Sequence, residues 1–144
     1  MMALILGILA GCILAIYSPY FVRIITGSPR AFEEELLKAF AAWAITRGAA
    51  IRGQIRLLIL ASLLLEIIYF VMVFTAISNP AMLIFTGFLV GVEVIHFSIV
   101  MRTFYRFFRG EIMIKEIFNW RMERVSAVLF FTHCMLVIFS LIWG

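Results

Sequence analysis

Residues 57–78 read LLILASLLLEIIYFVMVFTAIS. As a helix rising about 1.5 Å per residue, this stretch is about 33 Å long, enough to cross a hydrocarbon core about 30 Å thick. Glu66 is its one ionisable residue. Apolar residues run side by side, as in Leu57-Leu58-Ile59-Leu60, so the alternation of a barrel strand is absent. An isolated strand would leave its backbone groups unpaired in lipid, whereas a helix pairs them internally. The segment therefore reads as a transmembrane helix.

Three further segments have the same character. The Ser78-Asn79-Pro80 turn leads into residues 81–101, which carry Glu93 and His96. Residues 2–25 form a run with Pro19 near its end, and residues 125–143 form another that carries His133. The composition agrees: 65% of the 144 residues are hydrophobic and 14% charged, with a mean hydropathy of +1.14. Soluble domains have about 45–50% apolar and about 25% charged residues. The expected fold is a single all-α membrane domain over 1–144 with four spans.

Basic residues give the expected orientation. Arg23, Arg30, Lys38, Arg47, Arg52 and Arg56 separate spans one and two; Arg102, Arg106, Arg109, Lys115, Arg121 and Arg124 separate spans three and four. Neither end and no residue of the Ser78–Pro80 turn is basic. The positive-inside tendency then puts loops 26–56 and 102–124 in the cytoplasm and both termini outside a cell membrane. The net charge of +4 is a topology signal with an attraction to anionic lipid, so nucleic acid is not an expected partner. Leu9-Ala10-Gly11-Cys12 has the form of a lipobox, but the apolar run continues past Cys12 without a basic n-region. Cys12 and Cys134 read as small buried hydrophobes.

Amphipathic helices are expected in both loops. Ser28 and Pro29 suit the start of one, with Glu33, Glu34 and Glu35 near its positive dipole end. Phe32, Leu36, Phe40 and Trp43 share its apolar face, which suits the headgroup plane or a partner subunit. In the second loop span three extends through the Arg102, Arg106 and Arg109 face, interleaved with aromatics. Gly110 breaks it, and Glu111 with Lys115 marks a further helix.

Gly7 and Gly11, flanked by Ala3 and Ala15, and Gly87 with Gly91 form GxxxG patterns that suit close helix packing or self-association. Gly87 and Gly91 face away from Glu93 and His96 on the same helix.

Glu66, Glu93, His96 and His133 are the ionisable residues inside spans, and ionisable groups at that depth mark candidate functional sites. Counted from the nearest loop arginine, Glu66, Glu93 and His133 each lie roughly 13–15 Å deep and His96 roughly 9 Å. Ser62, Glu66 and Tyr69 form one polar stripe; Ser126, His133 and Ser140 form another. Convergence of these stripes in one layer is the expectation.

Four readings follow from such a layer. Glu66, Glu93, His96, His133 and Tyr69 suit a proton or cation path in a small membrane subunit of an oligomer or larger complex. Glu66, Glu93, His96 and His133 alternatively suit a transition metal, because Glu93 and His96 have the i,i+3 spacing of carboxylate-bridged metal helices. His96 and His133 suit the axial positions of a haem b. Finally, Glu66–His133 and Glu93–His96 pairs suit a structural or assembly subunit that only fixes helix register. An enzyme acting alone is less expected: the chain has no Asp and no phosphate-binding glycine loop.

Overall fold

The computed structural model describes all of residues 1–144. It is all-helical: α1 (Met2–Ile25), α2 (Pro29–Arg47), α3 (Ile51–Ala76), α4 (Pro80–Phe108) and α5 (Trp120–Trp143), with 3-10 turns at Gly48–Ala50 and Ile114–Glu116. Four helical stretches are long and apolar enough to cross a membrane: α1, the α3 part of the α2–α3 stretch, α4 and α5. They contain the spans expected at 2–25, 81–101 and 125–143 and all but the last two residues of the one expected at 57–78, where α3 ends at Ala76. The spans within α3, α4 and α5 all continue at their basic ends, because a helix leaving the hydrocarbon can keep its backbone bonds while Arg and Lys side chains reach the headgroups.

The junctions follow local chemistry. Asn79 caps α4, its side-chain oxygen accepting from the backbone N–H groups of Ala81 and Met82, with Pro80 at the first helical position. Ser28 does occupy the start of α2, but its hydroxyl makes no capping bond. Gly48 joins α2 to α3 at φ 54°, a backbone region that side chains disfavour.

α1, α5, α4 and α3 are neighbours in that order around a ring closed by α3 against α1, and α1 packs most extensively on α5. Leu6, Ala10 and Ile13 of α1 meet Tyr69, Phe70 and Val73 of α3, Leu89 of α4, and Phe130, Cys134 and Val137 of α5 in one core. Only 21 of the 144 residues are buried, although 65% are hydrophobic. The surplus lies outside, as on Ile8, Ile16, Leu60, Ile84 and Phe88, where an acyl environment suits it. This is a multi-pass membrane protein in contact with lipid.

Several expectations change in detail. The buried face of α1 is Leu6, Ala10 and Ile13, so the small-residue stripe only borders the packing surface. A side chain at Gly7 would lie 3.7 Å from Leu141 of α5, while Gly11, Gly87 and Gly91 have nothing within 4 Å. Gly87 and Gly91 open outward. Beyond Gly110, at φ 74°, the second loop has a single 3-10 turn in place of a helix. Glu111 turns back to Arg109 at 3.0 Å and Arg106 at 3.4 Å, so Lys115 is not its partner. Cys12 and Cys134 are both free thiols, the first exposed and the second buried.

Helix α2 folds back on its own chain. Phe32 stacks on Tyr20 at 5.2 Å, and Phe40 meets Phe104 and Phe118 edge-on at 6.2 and 5.4 Å. Much of the apolar face expected to meet lipid or a partner is thus used within the molecule. The two long connections meet at one end of the bundle.

Candidate functional site

Antiparallel packing of α4 on α5 organises the polar side chains. Thr86 faces His133, Glu93 faces Ser126, and His96 faces Glu123. Each step of seven or three residues along α4 matches an equal step back along α5, so the three pairs belong to one register. Two polar clusters result, separated by two helical turns, about 10 Å.

The cluster nearer the basic end is a chain of hydrogen bonds. Glu123 Oε1 lies 2.9 Å from His96 Nε2. His96 Nδ1 lies 3.1 Å from Glu93 Oε2. Ser126 donates its hydroxyl to Glu93 Oε1 at 2.8 Å. Side-chain exposure falls from 26% at Glu123 to 16% at His96 and 5% at Glu93. The imidazole is therefore held between a partly exposed carboxylate and a buried one. With both carboxylates ionised, each can only accept, so both ring nitrogens must carry protons. Moving the Nδ1 proton from His96 to Glu93 leaves a neutral ring that still donates Nε2–H to Glu123 and accepts at Nδ1 from the new Glu93 carboxyl O–H.

Glu66 joins from α3. It is half-buried and in no ion pair. It lines a cleft of about 160 Å³ between α3 and α4 together with Glu93, Leu63, Val90 and Phe97. Two carboxylates thus share one narrow cavity within the spans.

The deeper cluster surrounds His133, which is completely buried. Thr86 donates its hydroxyl to the Met82 carbonyl at 2.7 Å. Its oxygen is therefore left to accept from His133 Nε2 at 2.8 Å. Nδ1 then accepts from the Tyr69 hydroxyl at 2.8 Å, and the Cys134 thiol lies 3.3 Å from that same hydroxyl oxygen. A neutral imidazole protonated at Nε2 satisfies every member without an added charge. Phe85, Phe70 and Tyr69 rings enclose it, with centroids 5.4–6.3 Å away. No buried side-chain nitrogen or oxygen in the protein lacks a partner.

The expectation of a single layer is thereby corrected. Glu66, Glu93 and His96 come together, while His133 and Tyr69 form a separate cluster. Depth counted from Arg102 and Arg124 treats the two as level, yet the register sets Glu93 against Ser126 and His96 against Glu123, seven to ten residues before His133. Of the two expected pairs, Glu93–His96 forms and Glu66–His133 does not.

The arrangement gives no support to the metal alternative. No three His, Cys or Glu side chains converge as a metal would need, so Glu66, Glu93, His96 and His133 are not a common ligand set. Both nitrogens of His96 are hydrogen-bonded to carboxylates and both nitrogens of His133 to hydroxyls, and the two rings lie in separate clusters.

A third polar assembly lies where the two loops meet. Arg124 grips Glu33 with both arms, Nε to Oε1 at 2.6 Å and Nη2 to Oε2 at 2.8 Å, and Tyr20 donates its hydroxyl to Oε1 at 2.7 Å. Glu33 is buried despite standing in an exposed helix. The Arg124 guanidinium holds its carboxyl below the usual carboxylate range, and the carboxylate in turn raises the guanidinium further. Sequence reasoning missed Glu33, Glu123 and Thr86 as site residues.

The chain matches no known family, no curated protein and no solved structure.

Proposed function

We propose that the protein is a membrane subunit that carries protons from the basic end of the bundle to a carboxylate pair inside the membrane. The observation that carries this reading is the Glu123–His96–Glu93 chain with its falling exposure. An imidazole between two carboxylates can take a proton at Nε2 and release one at Nδ1, and a ring flip or tautomer exchange then resets it for the next proton. Glu93 passes the proton to Glu66 across their shared cleft, and Ser126 keeps Glu93 oriented by its hydrogen bond. Buried carboxylate and imidazole chains are typical of proton relays in membranes.

The deeper His133 cluster is a packing lock in this reading, because its hydrogen bonds close among themselves. The relay therefore ends sideways, at the α3–α4 cleft, where another membrane subunit or a second copy would continue it. The outward Gly87 and Gly91 positions, with nothing within 4 Å, offer a close-packing surface on the same helix. Loops 26–56 and 102–124 are cytoplasmic in this reading and the membrane is the cell membrane, supported by the charge distribution.

Proton uptake into proteoliposomes holding the protein in its assembled form, with its partner subunit or as the self-associated species, followed with an internal pH dye, tests the relay. Glu93→Gln and His96→Gln should lower uptake about a hundredfold, the low end of what a positioned proton-transfer group contributes elsewhere. Unchanged uptake in Glu93→Gln, Glu66→Gln and His96→Gln together would remove the relay and leave helix register as the role of these groups.

A further inference from the structure

A larger cavity of about 340 Å³ lies between the start of α3 and the end of α4. Exposed Arg52 and Arg56 line it, and Ile59, Leu60, Phe97 and Met101 are among its apolar walls, with Leu60 on the lipid-facing side. The two arginines are four residues apart on one helix, hence on one face. Neither is in an ion pair, unlike Arg106, Arg109 and Arg124. No carboxylate lines the cavity. The Arg52 guanidinium is held 5.2 Å from the Phe108 ring centroid, which fixes its position over the opening without neutralising it. From Arg52 to Leu60 the cavity follows the helix for about 12 Å into the hydrocarbon.

We infer that this cavity is a binding site for one phospholipid with an anionic headgroup, drawn from the surrounding leaflet. The phosphate bridges Arg52 and Arg56, and an acyl chain occupies the space between α3 and α4. Two unpaired cations above an apolar slot at headgroup level complement a lipid that is negative at one end and apolar at the other. A zwitterionic lipid carries its own cation and would leave the pair uncompensated. Phe97 also lines the Glu66–Glu93 cleft, so the bound chain ends against that cleft and keeps water out of it from the lipid side.

Native mass spectrometry of the full chain, released from vesicles of equal parts phosphatidylglycerol and phosphatidylcholine, tests the site. The expected result is one retained phosphatidylglycerol. Arg52→Gln/Arg56→Gln should reduce the preference about 30-fold, from the contribution of two basic groups at the headgroup level. Arg47→Gln/Arg121→Gln removes the same charge from unpaired arginines off the cavity and should leave the preference intact. Leu60→Trp fills the slot without changing charge and should lower retention. Arg52→Lys/Arg56→Lys, with helical content checked by circular dichroism, should keep most of it and so separates loss of binding from loss of fold. Equal retention of phosphatidylcholine, equal loss in both double Gln variants, full retention in Leu60→Trp, or displacement by inorganic phosphate would each overturn the proposal.

Discussion

Replacing Glu33 by Gln probes the clasp that ties the two loops together. Three hydrogen bonds to its carboxylate are at stake, two from Arg124 and one from Tyr20. Hydrogen bonds to a charged group contribute about 1.5–3 kcal/mol each when buried, and they are not additive. Arg124 is 36% exposed, so water takes back much of its share on release, and the amide of Gln retains some bonding. A net loss of about 2–3 kcal/mol remains. Trp120 lines the same shallow cavity as Glu33 and Arg124, so its emission reports the opening during denaturant unfolding in detergent. In a double-mutant cycle, Glu33→Gln and Arg124→Gln should couple by about 1–2 kcal/mol. The pH sign follows from the lowered carboxyl. Stability from Glu33 is complete above the ordinary value of 4.5 and is lost as pH falls through the depressed folded value below it. The Glu33→Gln deficit should thus be constant from neutral pH down to about 5 and shrink in stronger acid. A deficit under about 0.5 kcal/mol at neutral pH, or zero coupling, would refute the clasp as a stabilising element.

Other perturbations have definite expected outcomes. Thr86→Val leaves His133 Nε2 without an acceptor and should cost about 0.6–1.7 kcal/mol in the same unfolding assay, with Tyr69→Phe of similar size. Gly48→Ala forces a side chain into φ 54° and should cost about 1–3 kcal/mol, read as a lower denaturant midpoint. In a background lacking Cys12 and Cys134, a membrane-impermeant maleimide should label Ser78→Cys on intact cells and Glu35→Cys only after lysis; the reverse pattern would invert the proposed orientation.

The spans were legible because hydrophobic length is a one-dimensional property. Residues 57–78 need no partner to be recognised as a helix that crosses a bilayer. The Glu93–His96 pair was legible for a similar reason: i,i+3 spacing lies within one helix. What escaped was relative register between helices. Depth counted from Arg102 and Arg124 assumed that both mark the same plane, whereas α5 begins at Trp120 and carries Arg124 to Glu33. That offset of two turns moved His133 out of the Glu93 layer and brought Ser126 and Glu123 into it. Glu33 was hidden because its neighbours Glu34 and Glu35 are exposed, and its partner Arg124 is 91 residues away.

That separation has a consequence for biosynthesis. A ribosome adding about 5–20 residues per second delivers Arg124 roughly 5–18 s after Glu33. Through that interval α2 has its aromatic face but not its ionic anchor, and α1 lacks α5, the helix it packs on most. The first half of the chain must therefore dwell in the membrane as an open hairpin, with the ring sealed only by the last helix made. A chaperone or partner that attends the nascent protein has that window in which to meet α1 and α2, and arrest before α5 emerges would leave both of them unprotected.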